Sequence, residues 1–227
     1  MKKVFNFYLS EIIGKEIFIK DRNILGKLQD LVVTTSCMKP QVFAAEINLG
    51  AYSILVNFSS LTILKENNEY IMSCKDSSNV EEKKDGTLYL SKHILNKRII
   101  DANGKKLQRI NDLEIGVLST GAYLVAGNVG IEGFFRRFKI EKPIRILLNS
   151  LGKKIPSKLV SWEEVEKVDF FKSGVKFSKV YSKLSNLHQS DVKEIIKELD
   201  LKIQTAILAW FNKINIDIIG MVEIIIV

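Results

Sequence analysis

Histidine is nearly missing from this chain: 227 residues contain only His93 and His188. Imidazole chemistry therefore has little to draw on. There is no HExxH pair, no nucleophile elbow and no histidine–carboxylate set suited to catalysis. Cysteine is equally scarce. Cys37 and Cys74 show no CxxC spacing and read as two reduced, partly buried thiols of a cytosolic domain rather than a disulfide or metal pair. Long apolar runs are also lacking. None approaches the ~20 residues a membrane-spanning helix needs; Ile214 to Val227 is the richest, and Asp217 and Glu223 interrupt it. Lys2 and Lys3 precede a stretch broken at once by Asn6, Ser10 and Glu11, which is not the pattern of a signal peptide. The expectation is a soluble, cytoplasmic, non-enzymatic protein, or the soluble part of something larger.

What the chain does have is repetition. Tyr8-Leu9-Ser10 returns as Tyr89-Leu90-Ser91. His93 adds one residue, and from Ile13/Leu95 the copies stay in step at an offset of 82: Lys15/Lys97, Leu28/Ile110, Asp30/Asp112, Leu31/Leu113, Ala44/Ala126. The offset then jumps to 104, pairing Val56-Asn57-Phe58 with Val160-Ser161-Trp162, so the second copy carries 22 extra residues between about Ile131 and Pro156. A repeat of this length is a duplicated small domain, not a solenoid unit. Both copies are rich in β-formers: Glu16–Ile19, Leu31–Val33, Val42–Ile47 and Ser53–Val56, then Arg98–Ile100, Leu113–Val117 and Ala122–Ala126. Asn103-Gly104 is a two-residue hairpin signal, whereas the first copy has Asp21-Arg22 there and needs a different turn. Short strands at this spacing predict small, closed antiparallel barrels. Lys75 to Gly86 reads as an exposed polar connector.

After about Ser182 the apolar period becomes helical: Val192, Ile195, Ile196, Leu199; then Ile203, Ala206, Ile207, Trp210; then Ile218, Ile219, Val222, Ile225. The chain closes on the apolar Glu223–Val227. That end predicts cover by a partner, self-association into a homo-oligomer, or a helical domain that continues in a longer protein.

The repeated pattern resembles the PRC-barrel, the small β-barrel of the photosynthetic reaction centre H subunit and of the ribosome maturation factor RimM. The second copy carries it best, in Ile100-Asp101-Ala102-Asn103-Gly104, Arg109-Ile110-Asn111-Asp112, Gly127 to Arg137, and Leu159-Val160-Ser161-Trp162-Glu163-Glu164-Val165. Leu187 to Asp200 resembles the opening of the cytosolic N-terminal domain of MgtE magnesium transporters. The fold class implied is mainly β with α: PRC-like barrels over residues 1–86 and 87–182, then a truncated helical segment over 183–227. The function implied is a regulatory or adaptor protein tied to magnesium homeostasis, with the barrels docking a protein partner. The alternatives are a RimM-like ribosome- or RNA-associated factor, or the soluble fragment of a magnesium transporter. In the MgtE family, acidic residues of this domain help bind Mg²⁺, so Asp191, Glu194 and Glu198 become candidate ligands of a weak Mg²⁺ site; an ordinary charged helix face is the plainer reading. No other cofactor is implied.

The net charge of +8 is uneven. Residues 1–86 are neutral, 87–182 carry +9 and 183–227 carry −1. Much of the excess sits in the extra segment. Ile131, Phe134, Phe135 and Phe138 follow helical spacing; Ile144, Leu147, Leu148 and Leu151 repeat it after Pro143. This predicts two amphipathic helices split by the proline, over about residues 131–156. Arg136, Arg137, Lys139, Lys142, Arg145, Lys153 and Lys154 lie among these stripes, with Lys158 beyond. Either the stripes pack inward and the cations are simply solvated, or they form a surface for an acidic protein or an anionic membrane. Nucleic acid is the weaker match, because the aromatics belong to the apolar stripe. His188 reads as the start of the Leu187 helix, and His93 and Trp162 as structural. Gly127, Gly130 and Gly133 follow a strand and precede a helix, but the βαβ context and Lys-Ser/Thr of a phosphate loop are missing.

Overall fold

The structure, a computed structural model, describes residues 2–19, 23–34, 39–80, 86–100 and 107–162, and 201, 204–207 and 209. The chain forms two compact units, one holding residues 1–129 and 159–174, the other 130–158 and 175–227.

The first unit is mainly β. The first repeat supplies strands β1 (Lys2–Lys3), β2 (Asn6–Tyr8), β3 (Glu16–Phe18), β4 (Ile24–Thr34), β5 (Gln41–Asn48), β6 (Ser53–Asn57), β7 (Leu61–Glu66) and β8 (Glu69–Cys74). The second supplies β9 (Thr87–Tyr89), β10 (Arg98–Ile100), β11 (Leu107–Arg109), β12 (Asp112–Leu118), β13 (Gly121–Asn128) and β14 (Leu159–Ser161). A single turn of helix, α1 (Leu9–Ile12), follows β2, and a π turn over Leu90–Ile94 follows β9.

The expected pair of separate closed barrels is not what forms. Among the described residues, strands of both repeats join one 12-stranded sheet, with β10 and β11 as a separate pair. The sheet is mixed, since β3 runs parallel to β8 and the other pairings are antiparallel. The short strand that opens each repeat leaves its own repeat. β9 lies against β4, with Val32, Val33 and Thr34 opposite Tyr89, Leu88 and Thr87. β2 lies against β12, with Glu114, Ile115 and Gly116 opposite Tyr8, Phe7 and Asn6. These registers are equivalent residue for residue. Gln41 faces Tyr123 where β5 meets β13; these two are themselves repeat equivalents, so a pseudo-twofold axis passes between them. Local pattern could not predict this. Alternation marks a strand and its buried face, not which strand it pairs with.

The core follows the exchange. Phe7, Leu9, Ile12, Leu31 and Ile47 of the first repeat and Leu90, Ile94, Ile110, Leu113 and Ile115 of the second belong to one buried cluster, with Phe58 and Trp162 packed against it.

Three local features bear on the sequence reading. The extra residue His93 turns a four-residue α turn into a five-residue π turn: Ile13 donates to the Leu9 carbonyl at 3.0 Å, and its equivalent Leu95 to the Leu90 carbonyl at 3.0 Å. Ile100 opposite Leu107 is a register centred on Asn103-Gly104, whose turn lies outside the described residues; in the first repeat a register shift between Ile17 and Phe18 marks a different construction. The β7–β8 hairpin was not foreseen, although Asn67 and Asn68 carry its signal. Both have positive φ, 49° and 64°, as a type I′ turn requires.

Of the connector, Lys75 to Asn79 are exposed as expected, and Val80 donates to the Leu55 carbonyl at 2.7 Å. Cys74 is a buried free thiol whose pKa burial raises; Cys37 lies outside the described residues. Among the described residues no helix is long and apolar enough to cross a membrane.

Candidate functional site

The 22-residue insertion emerges where its register predicts. In the first repeat Ala44, Ala45 and Glu46 face Asn57, Val56 and Leu55. In the second, Ala126, Gly127 and Asn128 face Ser161, Val160 and Leu159. The pairing is the same, but the short β5–β6 turn becomes the segment 130–158.

That segment forms α2 (Ile131–Arg137) and α3 (Glu141–Ser150). The helical stripes hold in part: Ile131, Phe134, Phe135, Ile144 and Leu148 are buried, Phe138 and Leu147 are half-buried, and Leu151 is exposed. The break is not at Pro143, however. It falls at Phe138–Ile140, where Lys139 takes a left-handed φ of 60°. Pro143 lies within the first turn of α3, where backbone N–H groups have no intrahelical acceptor and a missing one costs nothing. Gly130 is required by close packing, since a Cβ there would sit 2.6 Å from the Lys158 nitrogen.

The predicted cations divide into two sets. Arg136 is only 9% exposed. Its guanidinium lies 3.5 Å from Glu132 and 3.3 Å from Glu141. Arg145 meets the same two carboxylates, Glu132 at 3.2 Å and Glu141 in close contact. Two arginines and two glutamates thus form a closed, charge-balanced network. Arg136 is therefore corrected from a surface residue to a buried ion-pair residue, and Arg145, though exposed, is held by the same carboxylates. The Glu132–Arg136 and Glu141–Arg145 spacings were legible as i,i+4 pairs; Arg136–Glu141 spans the helix break and was not.

The remaining cations face outward to different degrees. Arg137 is half-buried with its guanidinium 5.5 Å from the Phe138 ring centroid. Lys139, Lys142 and Lys154 are exposed, and Lys153 is half-buried. Lys153 donates its amide to the Leu148 carbonyl at 2.9 Å, which sets Lys153 and Lys154 at the C-terminal end of α3, where positive charge suits the helix dipole.

The first repeat offers a separate feature, an open groove of about 940 Å³. Phe18, Leu64 and Ile71 are among its apolar lining residues, and Lys27, Glu16 and Glu69 among its charged ones. Glu16 and Phe18 flank the buried Ile17, and Ile71 and Ser73 the buried Met72, along their strands, so these four side chains lie on the sheet face away from the core; the largely buried Tyr70 also lines the groove.

The most deeply buried carboxylates described in the first unit are Asp30 and Asp112, both 0% exposed. Asp30 accepts the amides of Ser91 at 2.8 Å, Lys92 at 3.1 Å and Leu31 at 2.8 Å. Asp112 accepts the Ser10 amide at 3.1 Å, the Ser10 hydroxyl at 2.6 Å and the Leu113 amide at 2.9 Å. Burial pushes the Asp30 carboxyl up to about 6, against the opposing pull of the Ser91, Lys92 and Leu31 amides and the Lys92 charge. Lys92 also bonds both Glu46 oxygens, at 3.0 and 2.8 Å. His93 is structural: its Nδ1 accepts the Tyr89 amide at 3.0 Å, as Glu11 accepts that of Tyr8 at 3.1 Å.

Asp191, Glu194, Glu198 and His188 lie outside the described residues. Of the second helical face, Ile207 is buried, while Ile203 and Trp210 lie outside the described residues. Among the described residues no group of three or more His, Cys, Asp or Glu side chains is placed to hold a metal. No protein-family model matches the chain, and no curated protein matches it in sequence.

Proposed function

We propose that this chain is a non-enzymatic regulatory adaptor whose tandem PRC-like repeats form one docking platform for a protein partner. The commitment of Asp30 and Asp112 carries the reading. These buried carboxylates are the first groups one would consider for acid–base work, yet each is occupied by main-chain donors of the other repeat. They serve to fasten the repeats together. The PRC-like identity draws support from the Tyr-Leu-Ser turns and the long strand after each. The groove lined by Phe18, Leu64 and Ile71 together with charged side chains has the mixed apolar and charged composition of a protein-docking surface. The test is crosslinking in the native host with a photoreactive residue at Ile71 and, as control, at Tyr52, which is exposed and not among the groove residues. A discrete adduct from position 71 alone supports docking there; identical or absent adducts overturn it.

The link to magnesium rests on the Leu187–Asp200 resemblance. Titration calorimetry of the full chain with Mg²⁺, against Ca²⁺ and against an Asp191→Ala/Glu194→Ala variant, tests it. Saturable binding lost in the variant supports the link, and no binding removes it. The RimM-like alternative draws on the +9 charge of residues 87–182, although Arg136 and Arg145 are already paired with glutamates. Co-sedimentation with ribosomal particles that falls steeply with salt would favour it.

A further inference from the structure

We propose that the outward face of α3 binds the surface of an anionic phospholipid bilayer. This goes beyond the docking platform and does not depend on it, because it rests on residues 130–158 alone.

On a helix advancing 100° per residue, the exposed residues Lys142, Arg145, Ile146, Asn149 and Ser150 fall within one arc. Ile144 and Leu148, both buried, lie on the opposite side. The inward stripe is therefore largely filled, and it does not account for Ile146, which is 71% exposed. Along the chain Ile146 is flanked by cations, Lys139 and Lys142 before it and Lys154 and Lys158 after, all exposed. No carboxylate shares the arc. Glu132 and Glu141, the acidic residues of this segment, are turned onto Arg136 and Arg145. The result is an exposed aliphatic tip, Ile146, in a segment whose exposed lysines Lys139, Lys142, Lys154 and Lys158 carry no paired carboxylate on the same arc. That arrangement matches lipid phosphates and serines at headgroup depth and the acyl boundary just below. A nucleic acid would instead want exposed rings to stack on. Here Phe134 and Phe135 are buried, and Phe138 is half-buried between the Phe134 ring and the Arg137 guanidinium.

The experiment is sedimentation of the full chain with extruded vesicles, either pure phosphatidylcholine or one-third phosphatidylserine. The wild type is expected to sediment with the anionic vesicles only, and less at high salt. Each lysine near an anionic surface is worth about fivefold in affinity, so Lys142→Gln/Lys154→Gln should lower binding more than tenfold. Ile146→Ser should weaken it severalfold with the charge unchanged. All three positions are exposed, and a thermal melt checks that each variant keeps its fold; a variant that melts early is replaced by Lys139→Gln/Lys158→Gln. The proposal is overturned if the wild type ignores anionic vesicles, if the lysine pair and Ile146 variants bind like wild type, or if a short RNA duplex displaces the vesicles at equal charge.

Discussion

Asp30 and Asp112 are repeat equivalents 82 residues apart, and each carboxylate holds the helical turn that belongs to the other's repeat. Asp30 takes the Ser91 amide at 2.8 Å and Asp112 takes the Ser10 amide at 3.1 Å. Together with the exchanged strands β2 and β9, these bonds leave neither repeat complete without its neighbour.

The first prediction follows from that dependence. Asp112→Ala leaves the part-buried Ser10 amide and the Leu113 amide without their acceptor and should lower stability by about 1–3 kcal/mol. Because the core is shared, the whole β unit should still unfold in one transition at lower denaturant. Two transitions, with only one of them shifted, would mean the repeats fold separately.

The pH dependence of Asp30 has a definite sign. Its carboxyl lies at about 6 in the folded protein against 3.8 for a free aspartate. The group's contribution to stability is therefore full below about 3.8 and is lost as pH rises through 6. A shift of this size corresponds to about 3 kcal/mol. The stability difference between wild type and Asp30→Asn, which cannot titrate, should shrink by about that amount between pH 4 and pH 7. Denaturant melts of the two proteins at each pH measure it, and a difference that stays flat or grows would show that the amide donors outweigh burial.

Arg136 and Arg145 share two carboxylates but should respond very differently to truncation. Arg136→Ala takes the buried partner from two part-buried glutamates, which then keep only the exposed Arg145, and should cost about 1–3 kcal/mol. Arg145→Ala removes a solvent-exposed partner and should cost less than about 1 kcal/mol. Equal losses in thermal melts would argue against the burial difference between the two side chains.

Gly26 is fixed by proximity. A Cβ there would lie 2.4 Å from the Asn48 carbonyl oxygen and 2.9 Å from Ile47 Cγ2. Gly26→Ala should force β4 and β5 apart and cost about 1–3 kcal/mol. Gly116→Ala is the comparison, since the nearest atom to its Cβ is a side-chain methyl of Val125 at 3.1 Å, which can give way; it should cost less. Denaturant titration of both variants decides the ordering.

The repeat, its β character, the inserted helices and most of their buried stripes are legible in the order of the residues. That order also marks His93 as the residue that breaks register. Each of these depends on local spacing, and side-chain periodicity along a strand or helix is a property of consecutive residues. Which strands pair is set by the fold as a whole. A three-residue strand such as Asn6–Tyr8 carries the same alternation whether it lies against its own repeat or the other. The choice depends on the geometry of a shared core and on where Asp30 and Asp112 find donors. The same limit applies in the insertion. Glu132–Arg136 is visible as a helical pair, but the Arg136–Glu141 contact exists only because the chain turns at Lys139 and folds α3 back. That turn separated the buried arginine from the exposed lysines, which as sequence had been one run of positive charge.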